Sequence, residues 1–140
     1  MKYSKLFHLF NTASATLKYP KIRFITNDGS KVQLYLASKG YIAIKVNGEY
    51  CGKLVDADSF KMYQYDSTFQ NEIEYFCRSP IESAIVKGQA YGHCCFCGLE
   101  LVNAISVHHG YGPICADKYG LPWESVSESK SPIESILIDL

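Results

Sequence analysis

The stretch His93-Cys94-Cys95-Phe96-Cys97-Gly98, followed by Tyr111-Gly112-Pro113-Ile114-Cys115, restricts the fold of residues 91–123 more than any other feature of this chain. A C-x2-C pair can give two thiolates to one metal ion, because a tight turn lets both sulfurs reach a centre about 2.3 Å away. Cys94 and Cys97 have that spacing, and Gly98 directly after them can take the positive φ that such a turn needs. Cys115 follows Gly112-Pro113, which puts it at or near the start of a helix over residues 115–119, where the helix N-terminus favours thiolate. The pattern predicts a zinc site with three cysteine ligands and one position still to be assigned.

The fourth ligand does not follow from spacing. A second C-x2-C would need a ligand at Gly112 or Lys118, and neither side chain serves. His109, in the arm leading to Cys115, ranks first because neutral imidazole is a good zinc ligand. His108, Cys95, His93, the Asp117 carboxylate and a water are the alternatives, with Cys95 awkward because adjacent side chains diverge. A zinc-bound water would suit hydrolysis, yet no H-E-x-x-H or H-x-E signature supplies a carboxylate base.

Six cysteines in a reducing compartment favour a metal over a disulfide framework, and Cys51 and Cys77 read as small buried hydrophobes. No basic segment followed by an apolar one opens the chain, and no apolar run reaches about 18 residues. The expectation is a soluble, cytoplasmic chain with no membrane partner. At 140 residues, with 47% hydrophobic and 20% charged residues, it can bury a core as one domain, expected over residues 1–123. The formal net charge of zero conceals a division. Residues 1–53 hold nine bases against Asp28 and Glu49, so the remainder is acidic. Such asymmetry either draws two halves of one fold together or marks a basic binding face.

The periodicities predict an α+β fold. Leu6, Phe7, Leu9, Phe10, Ala13 and Leu17 make an amphipathic helix over 4–17, ended by Pro20 and placed within residues 1–19. Residues 20–66 read as a small antiparallel β-meander: strands 21–26 and 31–37 around Asn27-Asp28-Gly29-Ser30, strands 41–46 and 49–55 around Asn47-Gly48, and a possible fifth strand over 60–65. Residues 67–90 read as two short helices. Ser67 with Gln70 has capping-box spacing, Phe69, Ile73 and Phe76 share a face, and Ser79-Pro80-Ile81-Glu82 repeats the start signal. Residues 91–123 form the zinc-knuckle, treble-clef-like element. Residues 124–140 read as a solvated linker and a short apolar C-terminal helix opened by a second Ser-Pro-Ile-Glu-Ser at 131–135.

The run Gly92-His-Cys94-Cys-Phe-Cys97-Gly98-Leu-Glu-Leu101, then Ser106, Gly110-Tyr-Gly-Pro113-Ile-Cys115-Ala116 and Tyr119-Gly-Leu-Pro-Trp123, resembles an uncharacterised cysteine-containing domain. That domain occurs in many bacteriophage proteins and beside some helicase-like sequences. The resemblance covers about residues 92–123. More weakly, Leu6 to Pro20 with Lys21-Ile-Arg23, the strand Tyr50-Cys-Gly52-Lys-Leu54, and Ser79-Pro80 resemble the rest of small phage proteins of this type. It implies zinc binding through Cys94, Cys97 and Cys115, a host-cytoplasmic setting and no established activity; His108 and His109 fall where the family pattern is loose.

The expected function is a small phage-type binding module with structural zinc. Its partner is nucleic acid or nucleic-acid-processing machinery, with basic residues on phosphate and Tyr35, Tyr41, Tyr63 or Tyr65 offering stacking faces. The alternative is an interaction factor or inhibitor docking on a host or phage enzyme through aromatic surface and the 133–140 tail. No small-molecule substrate is expected, and an enzyme ranks last: no Ser/His/Asp set, phosphate loop or paired carboxylates stand out, His8 reads as a surface residue, and Asp56, Asp58 and Asp66 read as turn and cap residues.

Overall fold

Alternation of apolar and polar residues in the first half produces a five-stranded antiparallel sheet. Its strands are β1 (Lys21–Ile25), β2 (Lys31–Leu36), β3 (Ile42–Val46), β4 (Glu49–Leu54) and β5 (Lys61–Met62), and spatial order equals chain order. The computed structural model describes residues 2–63 and 67–123, without the side chains of 67–69. Before the sheet lies α1 (Ser4–Ala13), and after it come α2 (Ser67–Arg78), α3 (Pro80–Tyr91), α4 (Ala104–His109) and α5 (Pro113–Tyr119). The chain is therefore mixed α+β, as its periods indicated.

Asn47 and Gly48 take φ of 52° and 86°, the two positive values that a two-residue turn matched to strand twist requires. Ile22, Phe24, Val32, Leu34, Ile42, Ile44 and Leu54 turn one face of the sheet into the core. Leu6, Leu9, Phe10 and Ala13 of α1 and Ile73, Phe76 and Cys77 of α2 join the same buried cluster. Phe24 and Phe76 stack with ring centroids 3.9 Å apart. One irregularity re-aims a side chain. Ile44 pairs with Gly52 but Lys45 pairs with Tyr50, so Cys51 is the extra residue of a bulge, and Tyr50 emerges on the same face as Lys45.

Some boundaries differ from expectation for local reasons. Helix α1 stops at Ala13, where the Ala15 and Thr16 N–H groups switch to the Thr12 and Ala13 carbonyls three residues back, a tighter turn, while the Ser14 hydroxyl donates to the Phe10 carbonyl. The fifth strand is two residues long among the described residues. Ser79 occupies the N-cap of α3 with Pro80 following, but its hydroxyl makes no capping bond. Helix α4 was not anticipated, although Asn103 caps it by accepting from the Ser106 N–H at 2.8 Å and Gly110 ends it in the left-handed region. The expected linker and short apolar helix of residues 124–140, Tyr65, Asp66, and the side chains of Ser67 and Phe69 lie outside the described residues. Among the described residues no helix is long and apolar enough to cross a membrane.

The outer edge of β1 is covered along its length by polar contacts from the second half of the chain. The Tyr119 hydroxyl accepts from the Lys21 N–H at 3.2 Å and donates to the Lys21 carbonyl at 2.9 Å. Two residues on, the Arg23 N–H donates to the Cys95 carbonyl at 2.7 Å. Lys87 Nζ donates to the Ile25 carbonyl at 2.6 Å and pairs with Glu72 at 2.5 Å, and Glu72 also accepts from the Asn27 N–H. An edge strand left bare is a template for unwanted pairing; here the backbone groups at 21, 23, 25 and 27 are engaged instead.

Candidate metal centre

The knuckle sits at the tip of a short antiparallel turn in which His93 bridges Glu100. Leu101 N–H donates to the Gly92 carbonyl at 2.8 Å, Cys94 N–H to Leu99 at 2.9 Å and Gly98 N–H to Cys94 at 2.8 Å. Gly98 closes the turn at φ 78°, the conformation a side chain would resist. Cys94 and Cys97 thus flank the tip, while the two residues between them point inward. Cys95 is buried, its sulfur directed at the Ala84 carbonyl of α3 at 3.8 Å. Phe96 packs against Tyr119 at 4.6 Å and edge-on against Tyr111 at 5.9 Å.

Cys115 arrives on α5, which starts with Gly112 at the N-cap and Pro113 in the first turn. The Sγ atoms of Cys94, Cys97 and Cys115 all lie within 4.8 Å of one another. That proximity is what the spacing predicted. Cys94 and Cys115 are buried and Cys97 is exposed, so the cluster has one wet side.

Three thiols this close share one favourable charge. Cys94 is lowered from the ordinary 9.0 to about 5, chiefly by the hydrogen bond from Cys115 and, against the cost of burial, by the N–H groups of Gly112, Phe96 and Cys97. Cys115 is raised above its ordinary value mainly because it donates to Cys94; Cys97, exposed as a residue, is raised mainly by partial desolvation of its sulfur against the cluster, with the Cys94 charge adding. Cys94 is the sulfur these contacts favour as thiolate, with the Phe96 N–H 3.4 Å from it. A bound dication would remove the competition, since a coordinating thiol is deprotonated outright. The donor set fits a soft divalent metal: clustered thiolates with backbone amides aimed at sulfur.

The His109 ring stacks on Trp123 at 4.3 Å and near-parallel to Tyr111 at 5.9 Å, and His109 is not part of the three-sulfur group. The stack is anchored by Tyr111, whose hydroxyl donates to the Pro122 carbonyl at 2.6 Å. His93 is exposed, with Nδ1 3.0 Å from the Tyr91 carbonyl, and Asp117 is exposed on α5. Among the described residues the group that could hold an ion contains Cys94, Cys97 and Cys115 and none of the other candidates.

The chain was compared with curated proteins and with solved structures, and neither comparison found a match. Residues 84–120 are similar to DUF6011, a family of unknown function, in a stretch that begins in α3 and includes all three clustered cysteines.

Proposed function

We propose that this chain is a small, non-catalytic binding module in which Cys94, Cys97 and Cys115 hold a structural zinc ion, and that it acts on nucleic acid or within a nucleic-acid-processing assembly, as a phage-type protein in the host cytoplasm. The observation that carries the metal is the convergence of three sulfurs from a turn and a separate helix within 4.8 Å. Thiolate-rich sites select zinc among abundant divalent ions, and a ligand set dominated by cysteine sulfur is the usual one for zinc that serves folding. Cys94, Cys97 and Cys115 are the ligands of this reading, and the fourth position is taken from outside their group. Nucleic acid is supported by the basic first half, which folds into a sheet whose outward positions carry lysine and arginine.

Metal analysis of protein purified without added zinc tests the reading. About one zinc per chain is expected, lost in Cys115→Ser together with the helical signal of the C-terminal unit. Wild-type protein that folds fully and melts identically with and without metal would reject it.

A further inference from the structure

Cross-strand register assigns the residues on the sheet face opposite the apolar one. Lys21, Tyr35, Ala43, Lys53 and Lys61 form one row across all five strands. Arg23, Gln33, Lys45 and, through the bulge at Cys51, Tyr50 form the next. Tyr41 and Tyr63 extend the same side: Lys53 lies over the Tyr41 ring at 5.0 Å, and Tyr63 meets Tyr50 at 5.9 Å. No outward position of these strands carries a carboxylate. All of these residues except Ala43 are half-buried or exposed.

The tyrosines divide into two kinds. Tyr35 and Tyr41 each carry an ammonium over the ring, Lys45 at 5.3 Å and Lys53 at 5.0 Å, which sets those lysines at fixed places on the face. Tyr50 and Tyr63 are 43% and 56% exposed. Burial is the main cause of a raised Tyr50 pKa, and the hydroxyls of Tyr63, Tyr41 and Tyr35 add to it, so the four phenols share one patch. Five strands at ~4.8 Å spacing make this platform roughly 19 Å wide.

From this we propose that the outer sheet face binds single-stranded nucleic acid, with Tyr50 and Tyr63 stacking on bases and Lys21, Arg23, Lys45, Lys53 and Lys61 contacting phosphate. The proposal rests on the nucleic-acid reading above and narrows it to one class. Charge complementarity selects a polyanion. Exposed rings beside the cations select one with unpaired bases, because a base inside a duplex offers no face to a tyrosine. A broad five-stranded face also presents no recognition helix to enter a major groove about 12 Å wide.

Fluorescence anisotropy with a labelled oligo-dT of about twelve nucleotides, the matching poly-U oligomer and a duplex of equal length tests this, using the full chain. The single strands are expected to bind tighter than the duplex. Tyr50→Ala and Tyr63→Ala are each expected to weaken them about ten-fold with the circular dichroism spectrum unchanged. Lys53→Gln is expected to lower the slope of log affinity against log salt by about 0.7, the share of one phosphate contact. Duplex binding as tight as single-strand binding, indifferent to both tyrosine variants, would overturn the platform and leave the broader nucleic-acid reading standing. Retention of no oligonucleotide at low salt would overturn both, and the metal measurement is independent of either.

Discussion

At the scale of single residues, environment gives the six cysteines different chemistry. Cys51 and Cys77 are buried as small apolar residues, Cys95 points into α3, and three others form the cluster. Cys77, fully enclosed beside Ile73 and Phe76, has its thiol pushed well above 9.0 by burial, with the Glu74 charge adding to it. Because its folded value is raised, the stabilisation from keeping it protonated is fully present below pH 9 and is lost as pH climbs toward the folded value. Between pH 9 and the raised folded value, stability should fall by about 1.4 kcal/mol per pH unit more steeply in wild type than in Cys77→Ala. Urea melts at a series of alkaline pH values measure it; parallel slopes would refute it. The thiol's burial was legible from its isolation in an apolar helix face. Ile73 and Phe76, on the same helix, were legible with it; the approach of Tyr3, whose hydroxyl donates to Glu74 at 2.7 Å, was not, since it joins residues distant in the chain.

Elements meet where side chains are absent. A Cβ on Gly88 of α3 would stand 2.0 Å from the Gly110 carbonyl, and one on Gly110, at φ 79°, would stand 2.7 Å from the Ile85 Cα. The end of α4 is therefore seated on the α3 backbone. Gly88→Ala gains up to about 1 kcal/mol of helix propensity, yet overpacking against a backbone carbonyl costs about 1–3 kcal/mol, so the clash wins. The variant should melt lower than wild type in a thermal scan, whereas Val86→Ala, at an exposed position of the same helix, should not lower the midpoint. A higher midpoint for Gly88→Ala would contradict the close approach. Sequence periodicity located α3 well because its start signal is local. It missed α4, a six-residue helix too short for a repeating stripe, whose one available sign was Asn103 followed by Gly110 at the far end.

At the scale of the whole molecule, the cysteine unit covers one edge of the sheet as well as gathering three sulfurs. The Cys95 carbonyl and the Tyr119 hydroxyl engage Arg23 and Lys21, so loosening residues 93–119 should expose the β1 edge. With the proposed zinc bound, its chelation should accelerate hydrogen exchange at the Lys21 and Arg23 amides while the Ile44 amide in central β3 stays protected. Exchange rates read by NMR before and after chelation decide the point; unchanged Lys21 and Arg23 rates would separate the two regions. Tyr119→Phe should raise exchange at Lys21 without removing metal, because it deletes the edge contact and leaves all three sulfurs.

By itself the sequence determined what depends on near neighbours: the Asn47-Gly48 turn, the alternation that gives the sheet an apolar face, and the knuckle spacing that puts Cys94 beside Cys97. Cys115 was also legible, since Gly112-Pro113 announces the helix that carries it. Tertiary structure alone decided where His109 goes, because its stack on Trp123 and Tyr111 is a packing outcome with no local signature. It likewise decided that a bulge at Cys51 turns Tyr50 outward and that Cys95 and Tyr119 cover the edge of β1. Turns and periods are set by torsions within a few residues, whereas the last three features join residues that meet only after the chain has folded back on itself.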